Sequence, residues 1–469
     1  MHGGGAHFSE MPRERRDRQE TAMGIKEREE QKRSARRNLY APLQEEPIDL
    51  DEVFQVMVES IHDNYVGFPG RERRFMPNEY RTYILSHYRY NTLTLQTLAR
   101  SLHQFTADMQ DRHLRFHCDD WIDYRNAAMK FRVRAQEDCL WVTEAAEETG
   151  LVPGDKILSV QSLSPEKIRR LLRGCGFYSA EPERELWGGY LRMASSAEVA
   201  HADGSVEIVK LPSFPAEEVE YPIEFRKLAT DTTYLKLERM DRTVMDRLLA
   251  EHEAEIATCR KLILDLRRCV GGDEDACWDL FPYLVDHETG LNTLLADEGN
   301  YVNCTGTNCE LRYRLLSDFE KTLSDPEQIA LIAEERRFYL DHYGKGLCFR
   351  APEEVEDIRI SPASKAPERI VLITDTFCED EGEQFAAMAQ RCGKKVVTVG
   401  RPTMGTLDTF DPITVKLNEH MTLSYPIAMT AAAREGRGIA GKGLPVDRYI
   451  RWTPAEIGED ILLREALAL

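Results

Sequence analysis

The stretch Ile370–Ala389, IVLITDTFCEDEGEQFAAMA, decides how this chain is read. Four apolar residues, Ile370 to Ile373, predict a buried strand. A polar turn follows, and the spacing predicts a helix from near Glu383. Hydrolases often present a nucleophile at such a strand–turn–helix corner, because the helix N-terminus stabilises developing negative charge. The turn holds Thr376, Phe377, Cys378, Glu379, Asp380 and Glu381, and no serine. The local architecture is that of a hydrolase; the reacting group is not.

Outward from this corner, the chain is long enough, at 469 residues, for two or three domains. No run of about 18 apolar residues exists, so no membrane span is expected. No apolar segment follows the N-terminal charges, which argues against a signal peptide and for a cytoplasmic protein. A net charge of −20 and a pI near 5.2 argue against a nucleic-acid partner. The eleven cysteines lack tight pairing and read as reduced thiols. Cys304 and Cys309 are the closest pair, but no second pair or histidine completes a zinc site. Nothing calls for a cofactor or a metal. The glycine-rich GRGIAGKG, residues 436–443, has no Ser or Thr after Lys442 and is not a phosphate loop.

Residues 1–45 mix both charge signs densely and are expected to be a disordered tail. Helical periodicity then runs to about residue 115 and predicts a helical N-terminal domain. Val53, Phe54, Met57, Val58 and Ile61 form one apolar face; Leu95, Leu98, Leu102, Phe105 and Met109 form another. Residues 116–225 read as β-rich, with strands at Met129–Val133 and Cys139–Val142 and a helix after Ser164. From residue 226 to the end, strands alternate with helices, the pattern of parallel pairing with right-handed crossovers. Strands are expected at LILDL (262–266), IVLI (370–373) and VVTV (396–399), and a helix from Ala276. A polar segment, about 287–362, interrupts this rhythm and reads as an insertion with a helix or two.

Five separated segments together resemble the tail-specific, or C-terminal-processing, serine peptidase family. GLVPGDKILSV (150–160) is similar to the core of that family's PDZ module, and TTYLKLERM (232–240) to the strand opening its catalytic domain. LILDLRRCVGGDEDACWDLFPYL (262–284) resembles its strand, glycine turn and helix. VLITDTFCEDEGEQFA (371–386) with VVTVGRPTMGTLDTF (396–410) resembles the nucleophile turn, next strand and glycine loop; GRGIAGKGLPVDRYI (436–450) resembles the terminal segment. The resemblance implies an α/β fold: a crotonase/ClpP-like peptidase core, a PDZ-like β-rich module and a helical N-terminal domain.

It also implies roles. The family's oxyanion hole would fall at Gly271 and Gly272, where glycine lets the backbone approach substrate and present N–H donors. The nucleophile position falls on Asp380 if the helix is aligned on Glu383, or on Cys378 if aligned on Glu381. A carboxylate cannot readily form an acyl-enzyme; a thiol can if its pKa is lowered, which the neighbouring acids oppose. The lysine of one family branch is replaced by Thr406, and its supporting glutamine by Phe410. In the other branch a histidine in a D-x-H segment is the base, which points to His113 in Asp111-Arg112-His113. Asp408 is a supporting candidate that orients a histidine or caps a turn. The partners implied are peptide or unfolded protein segments gripped in a PDZ-flanked cleft by strand addition; homo-oligomerisation stays open. Proteolysis is expected to be lost or altered through Asp380. The alternative is an active peptide hydrolase using His113 with Cys378.

Overall fold

Amphipathic spacing makes the first elements. Asp49 accepts from the Glu52 N–H at 3.0 Å and starts α1 (Leu50–Glu59); α2 (Pro77–Arg89) follows, and Thr94 caps α3 (Leu95–Asp108). The computed structural model describes residues 49–118, 127–171, 181–192, 194–211, 214–215, 221, 223–352 and 357–469; the charged N-terminal tail expected from sequence lies outside them. The apolar faces of α1 and α3 are buried, with Met57, Ile61, Leu98, Leu102, Phe105 and Met109 fully enclosed. After α3 the chain turns through Gln110, at φ 53°, into β1 (Arg115–Cys118).

Next comes an antiparallel sheet ordered β2 (Phe131–Gln136), β3 (Cys139–Ala145), β4 (Lys156–Val160), β5 (Ser196–Ala200), β6 (Val206–Lys210). It has its own apolar cluster, centred on Leu140, Val142, Ile157, Val160, Trp187 and Val199. The Pro153-Gly154-Asp155 turn forms as read: Gly154 takes φ 102° and Asp155 accepts from the Val152 N–H at 2.9 Å. The helix after Ser164 is also present, Pro165–Leu171.

The remainder begins with β7 (Glu224–Ala229), β8 (Thr232–Lys236), α4 (Arg242–Thr258), β9 (Lys261–Asp265) and the short β10 (Val270–Gly272). The helix expected from Ala276 shrinks to a turn at Trp278–Leu280 and four residues, Phe281–Leu284. Pro282 has no N–H with which to continue a helical ladder from upstream. There follow β11 (Asn300–Cys304), α5 (Gly306–Glu320), α6 (Pro326–Asp341) and β12 (Gly346–Arg350). Then come β13 (Arg369–Thr374), α7 (Asp380–Gln390), β14 (Val396–Gly400), β15 (Thr409–Lys416), β16 (Met421–Thr430) and α8 (Ile461–Ala468).

Two sheets organise this part. In one, Arg448–Tyr449, β14, β13, β9 and β8 pair in parallel, and β7 adds antiparallel to β8. Its central strands are mostly apolar runs because both faces are covered. In the other, β1, β16, β11 and β12 pair antiparallel, with β15 also on β16.

The second sheet joins segments that the sequence kept apart. One apolar cluster draws residues from α1, α3, β1, β11, α5, α6, β15 and β16. The helical N-terminal stretch and the polar insertion thus close one core together. A helix with a single apolar stripe can bury it only against a second layer, and β16 with its neighbours is that layer.

Candidate active site

β13 ends in a buried acid. Asp375 accepts from Arg401 Nε and Nη2 at 3.0 and 2.9 Å and from the Thr376 N–H at 2.7 Å, and it pairs with Arg134 of β2. Burial pushes its carboxyl up, but the two guanidiniums outweigh burial and hold it well below the usual carboxylate range. Arg401 also binds Glu456 at 2.9 and 3.0 Å. From the β-module, Arg184 donates to the carbonyls of Pro402 and Thr403 at 2.7 and 2.9 Å. The floor of the turn is thereby locked to the β-rich module by charge.

Beyond Asp375 the turn tightens. Glu379 is extended, and Asp380 takes φ 52° as the first residue of α7. A non-glycine residue in this region is uncommon and costs on the order of 1–3 kcal/mol. The Asp380 N–H donates to Thr406 Oγ1 at 2.9 Å, holding the corner in place. The helix begins one turn earlier than its apolar spacing suggests, with Asp380, Glu381 and Glu383 in the first turn, where the helix dipole favours acids.

This corner meets the histidine. Pairing of β1 with β16, in the register Arg115↔Ser424 to Cys118↔Met421, anchors the loop that carries His113. His113 Nε2 lies 3.4 Å from Asp380 Oδ1. Its backbone N–H donates to Asp111 Oδ1 at 2.9 Å, and its Nδ1 lies 3.8 Å from the same oxygen, beyond hydrogen-bonding range. Asp111 Oδ2 accepts from Tyr65 Oη and Thr409 Oγ1 at 2.6 and 2.8 Å. Asp111 and Asp380 therefore flank the His113 imidazole, one beside each ring nitrogen. Asp111 was quoted in the D-x-H segment, but only folding showed it as the carboxylate beside the imidazole.

Charge follows geometry. Burial lowers the His113 pKa, but the hydrogen bond to Asp380 and the charges of Asp111 and Asp380 outweigh it, and the net shift is upward. Asp380 is lowered, chiefly by its bond to His113. Both shifts favour the charged forms of the pair. Its stabilisation from His113 is full below about pH 6.5, the ordinary histidine value, and is lost as pH rises through the raised one. The Asp380 contribution is full above about pH 3.9 and is lost as pH falls through the lowered value. Asp380→Asn should therefore return the His113 pKa downward, read by NMR titration of the imidazole protons. An unchanged titration would break the assignment of this pair.

The glycine turn is occupied. The Gly272 N–H donates to Glu381 Oε2 at 2.7 Å. A Cβ on Gly271 would lie 2.4 Å from that same oxygen and 3.0 Å from the Asp380 Cβ; one on Gly272 would lie 1.8 Å from the Met240 carbonyl oxygen. Glycine is required at Gly272 by close approach of backbone, whereas at Gly271 the nearest atom is the end of the Glu381 side chain. Gly272→Ala should destabilise the fold by more than about 1 kcal/mol, measured by urea unfolding, since neither backbone nor φ of 154° accommodates a side chain. Stability equal to wild type would contradict this. Glu381 was not singled out from sequence; no spacing rule says which acid of the turn folds back.

The other candidates are placed elsewhere. Cys378 is fully buried in the apolar cluster beneath the turn, and burial, then Cys269 and nearby acids, push its thiol well above its ordinary value. Both oxygens of Asp408 are taken by the N–H groups of Ile439 and Ala440, at 2.8 and 2.9 Å, so it caps the glycine-rich segment and does not orient His113. Thr406, at the lysine position, donates to Glu383 Oε2 at 2.9 Å, and Glu383 also accepts from the N–H groups of Gly405 and Thr406 and from Thr403. This buried carboxylate, missed in the sequence, shapes the 403–406 loop. Phe410 is on β15 and partly exposed. Cys304 and Cys309 are free and buried. Among the described residues, no cluster of three His, Cys, Asp or Glu side chains forms a metal set, and no helix is long and apolar enough to cross a membrane.

A cleft of about 2090 Å³ opens beside the site, bordered by Asp111, Glu379, Thr406, Val270 and the β2 residues Phe131–Arg134. Among solved structures, mature CPAF is similar, with 11% identity and a TM-score of 0.60 over 89% of this chain and 95% of that one. CPAF complexed with lactacystin gives 10% identity and a TM-score of 0.58 over 89% and 97%. The photosystem II D1 C-terminal processing protease gives 14% identity and a TM-score of 0.41 over 86% and 94%. At these identities the CPAF likeness is one of fold. No curated protein matches the chain by sequence. Residues 231–450, which hold the glycine turn, the Asp380 corner and the terminal glycine segment, match peptidase family S41. By that match, residues 231–450 are similar to peptidase family S41, within a fold similar to that of mature CPAF.

Proposed function

We propose that this protein binds peptide or unfolded protein segments in its cleft without hydrolysing them. One observation carries the reading: two carboxylates stand where acyl transfer needs a nucleophile and an empty oxyanion hole. Asp380 pairs with His113 and raises its pKa, favouring the protonated imidazole, the form that cannot act as a general base. Glu381 sits on the Gly272 N–H, the donor an oxyanion would need. The β-rich module supports the binding half of the proposal. In the PDZ-like reading, β2 is an edge strand that pairs only with β3 among the described residues, and its residues border the cleft. An extended segment added to that edge would run toward the glycine turn.

The test is direct. Purified protein is incubated with labelled unstructured peptides, following anisotropy for binding and mass spectrometry for cleavage. Binding with no cleavage is expected, in wild type and in Cys378→Ala alike. Turnover abolished by Cys378→Ala would establish a thiol hydrolase and end this reading; absence of any binding would end it too.

A further inference from the structure

The chain as a whole carries 81 acidic against 61 basic residues, yet its cleft inverts that balance. Fourteen Lys and Arg side chains border it, against nine Asp and Glu, among the described residues. Several of these cations are neutralised: Arg134 and Arg401 converge on Asp375 in the buried lock, Arg267 pairs with Asp265 and Asp460, and Lys130 pairs with Glu148. Others are not neutralised one for one. Glu144, on β3, serves two guanidiniums at once. Arg268 Nη1 lies 3.0 and 3.1 Å from its two oxygens, and Arg132 Nε lies 3.4 Å from one of them. The Arg132 guanidinium is pushed down by burial first and then by Arg268, with Arg192 adding to the repulsion and Glu144 and Glu238 opposing it. Arg268 lies three residues before Gly271, and Arg132 is on the cleft-lining edge strand. On the opposite bank, Arg115 forms no ion pair among the described residues. Its Nε donates to the Arg112 carbonyl at 2.7 Å, and its charge bears on both His113 and Asp380.

A protein that is acidic overall has no stability reason to gather surplus cations along one concavity, because like charges in a low-dielectric cleft repel. Such a cleft instead concentrates ligands of the opposite sign, and guanidinium groups match carboxylates bidentately. Resting on the peptide-binding reading, we propose that the cleft selects acidic peptide segments. Their carboxylates compete with Glu144 for Arg132 and Arg268, and pair with Arg115 beside the His113–Asp380 couple. Specificity then comes from the seam between the β-module and the core, not from the carboxylates that flank His113.

The experiment uses the full chain and three labelled peptides of equal length, one glutamate-rich, one uncharged and one lysine-rich, with a single-stranded oligonucleotide as a second polyanion. The glutamate-rich peptide should bind at least about tenfold more tightly than the uncharged one at low salt. The margin should shrink as the screening length falls from about 30 Å to about 8 Å between 0.01 and 0.15 M salt. Arg132→Glu with Arg268→Glu should abolish the preference for the glutamate-rich peptide. If charge reversal prevents folding, Arg132→Gln with Arg268→Gln should give the same loss. Arg337→Glu, on the exposed side of α6, should change nothing. Equal affinity for the uncharged and acidic peptides overturns the inference and leaves peptide binding standing. Oligonucleotide binding as tight as that of the acidic peptide overturns it in favour of nucleic acid. If no peptide of any charge binds, the peptide-binding reading itself has failed.

Discussion

Replacing Asp380 by serine and Glu381 by alanine together should create a measurable peptide hydrolase. Asp380→Ser puts a hydroxyl at the φ 52° corner, facing an imidazole relieved of the Asp380 charge, with Asp111 still beside it, so its pKa falls back toward its ordinary value. His113 could then accept the serine proton, a contribution of roughly 10²–10⁴-fold where it is properly placed. The single change is not sufficient, because Glu381 would still occupy the Gly272 N–H and repel the developing oxyanion. Losing one oxyanion donor costs roughly 10²–10³-fold. The double variant should exceed Asp380→Ser alone by about that factor, followed as fluorophore release from a quenched peptide. His113→Ala in the same background should remove the gain. A folded double variant with no turnover above wild type would refute the idea that these two carboxylates are what silences the site.

The largest stability effect should come from Asp375→Ala. This carboxylate is 4% exposed, and it neutralises Arg134 from the β-module and the 2%-exposed Arg401 from the core at once. Removing it leaves two guanidiniums facing each other, with Glu456 compensating only one. Breaking a buried pair by deleting one partner costs about 3–5 kcal/mol, so urea unfolding should show a loss of that size. Arg134→Met should cost less, since Asp375 keeps Arg401. The sign with pH is fixed by the depressed carboxyl: its stabilisation is complete above about pH 3.9 and is lost only as pH falls through its lowered value. If Asp375→Ala unfolds at wild-type urea concentrations, the lock is not holding the module to the core.

Much of this was readable in one dimension. Mostly apolar stretches at 262–266, 370–373 and 396–399 become adjacent parallel strands, because a strand covered on both faces needs no polar alternation. Gly271 and Gly272 lie in the turn after β9, and space at Gly272 is closed to a side chain by the Met240 backbone. The choice between Asp380 and Cys378 was not readable, since either alignment satisfied the spacing. The turn's fold places the two differently: Asp380 takes the strained corner and meets His113, while Cys378 points into the apolar cluster. Asp408 failed as an orienting group for a similar reason, because its nearest donors are the backbone amides at 439 and 440, thirty residues away in sequence.

By itself, then, the sequence determined the central parallel strands, where the glycine turn and corner lie, and that no serine stands at the corner. Those are local properties of side-chain type and spacing. Tertiary structure alone decided that Asp111 rather than a glutamate stands beside His113, that Glu381 folds back onto the Gly272 amide, and that the N-terminal helices share a core with the 287–362 segment. It also decided that an acidic chain presents a basic cleft. Each of these depends on contacts between residues far apart in the chain. Composition counts charges without placing them, and only folding chooses which of several adjacent carboxylates meets which donor.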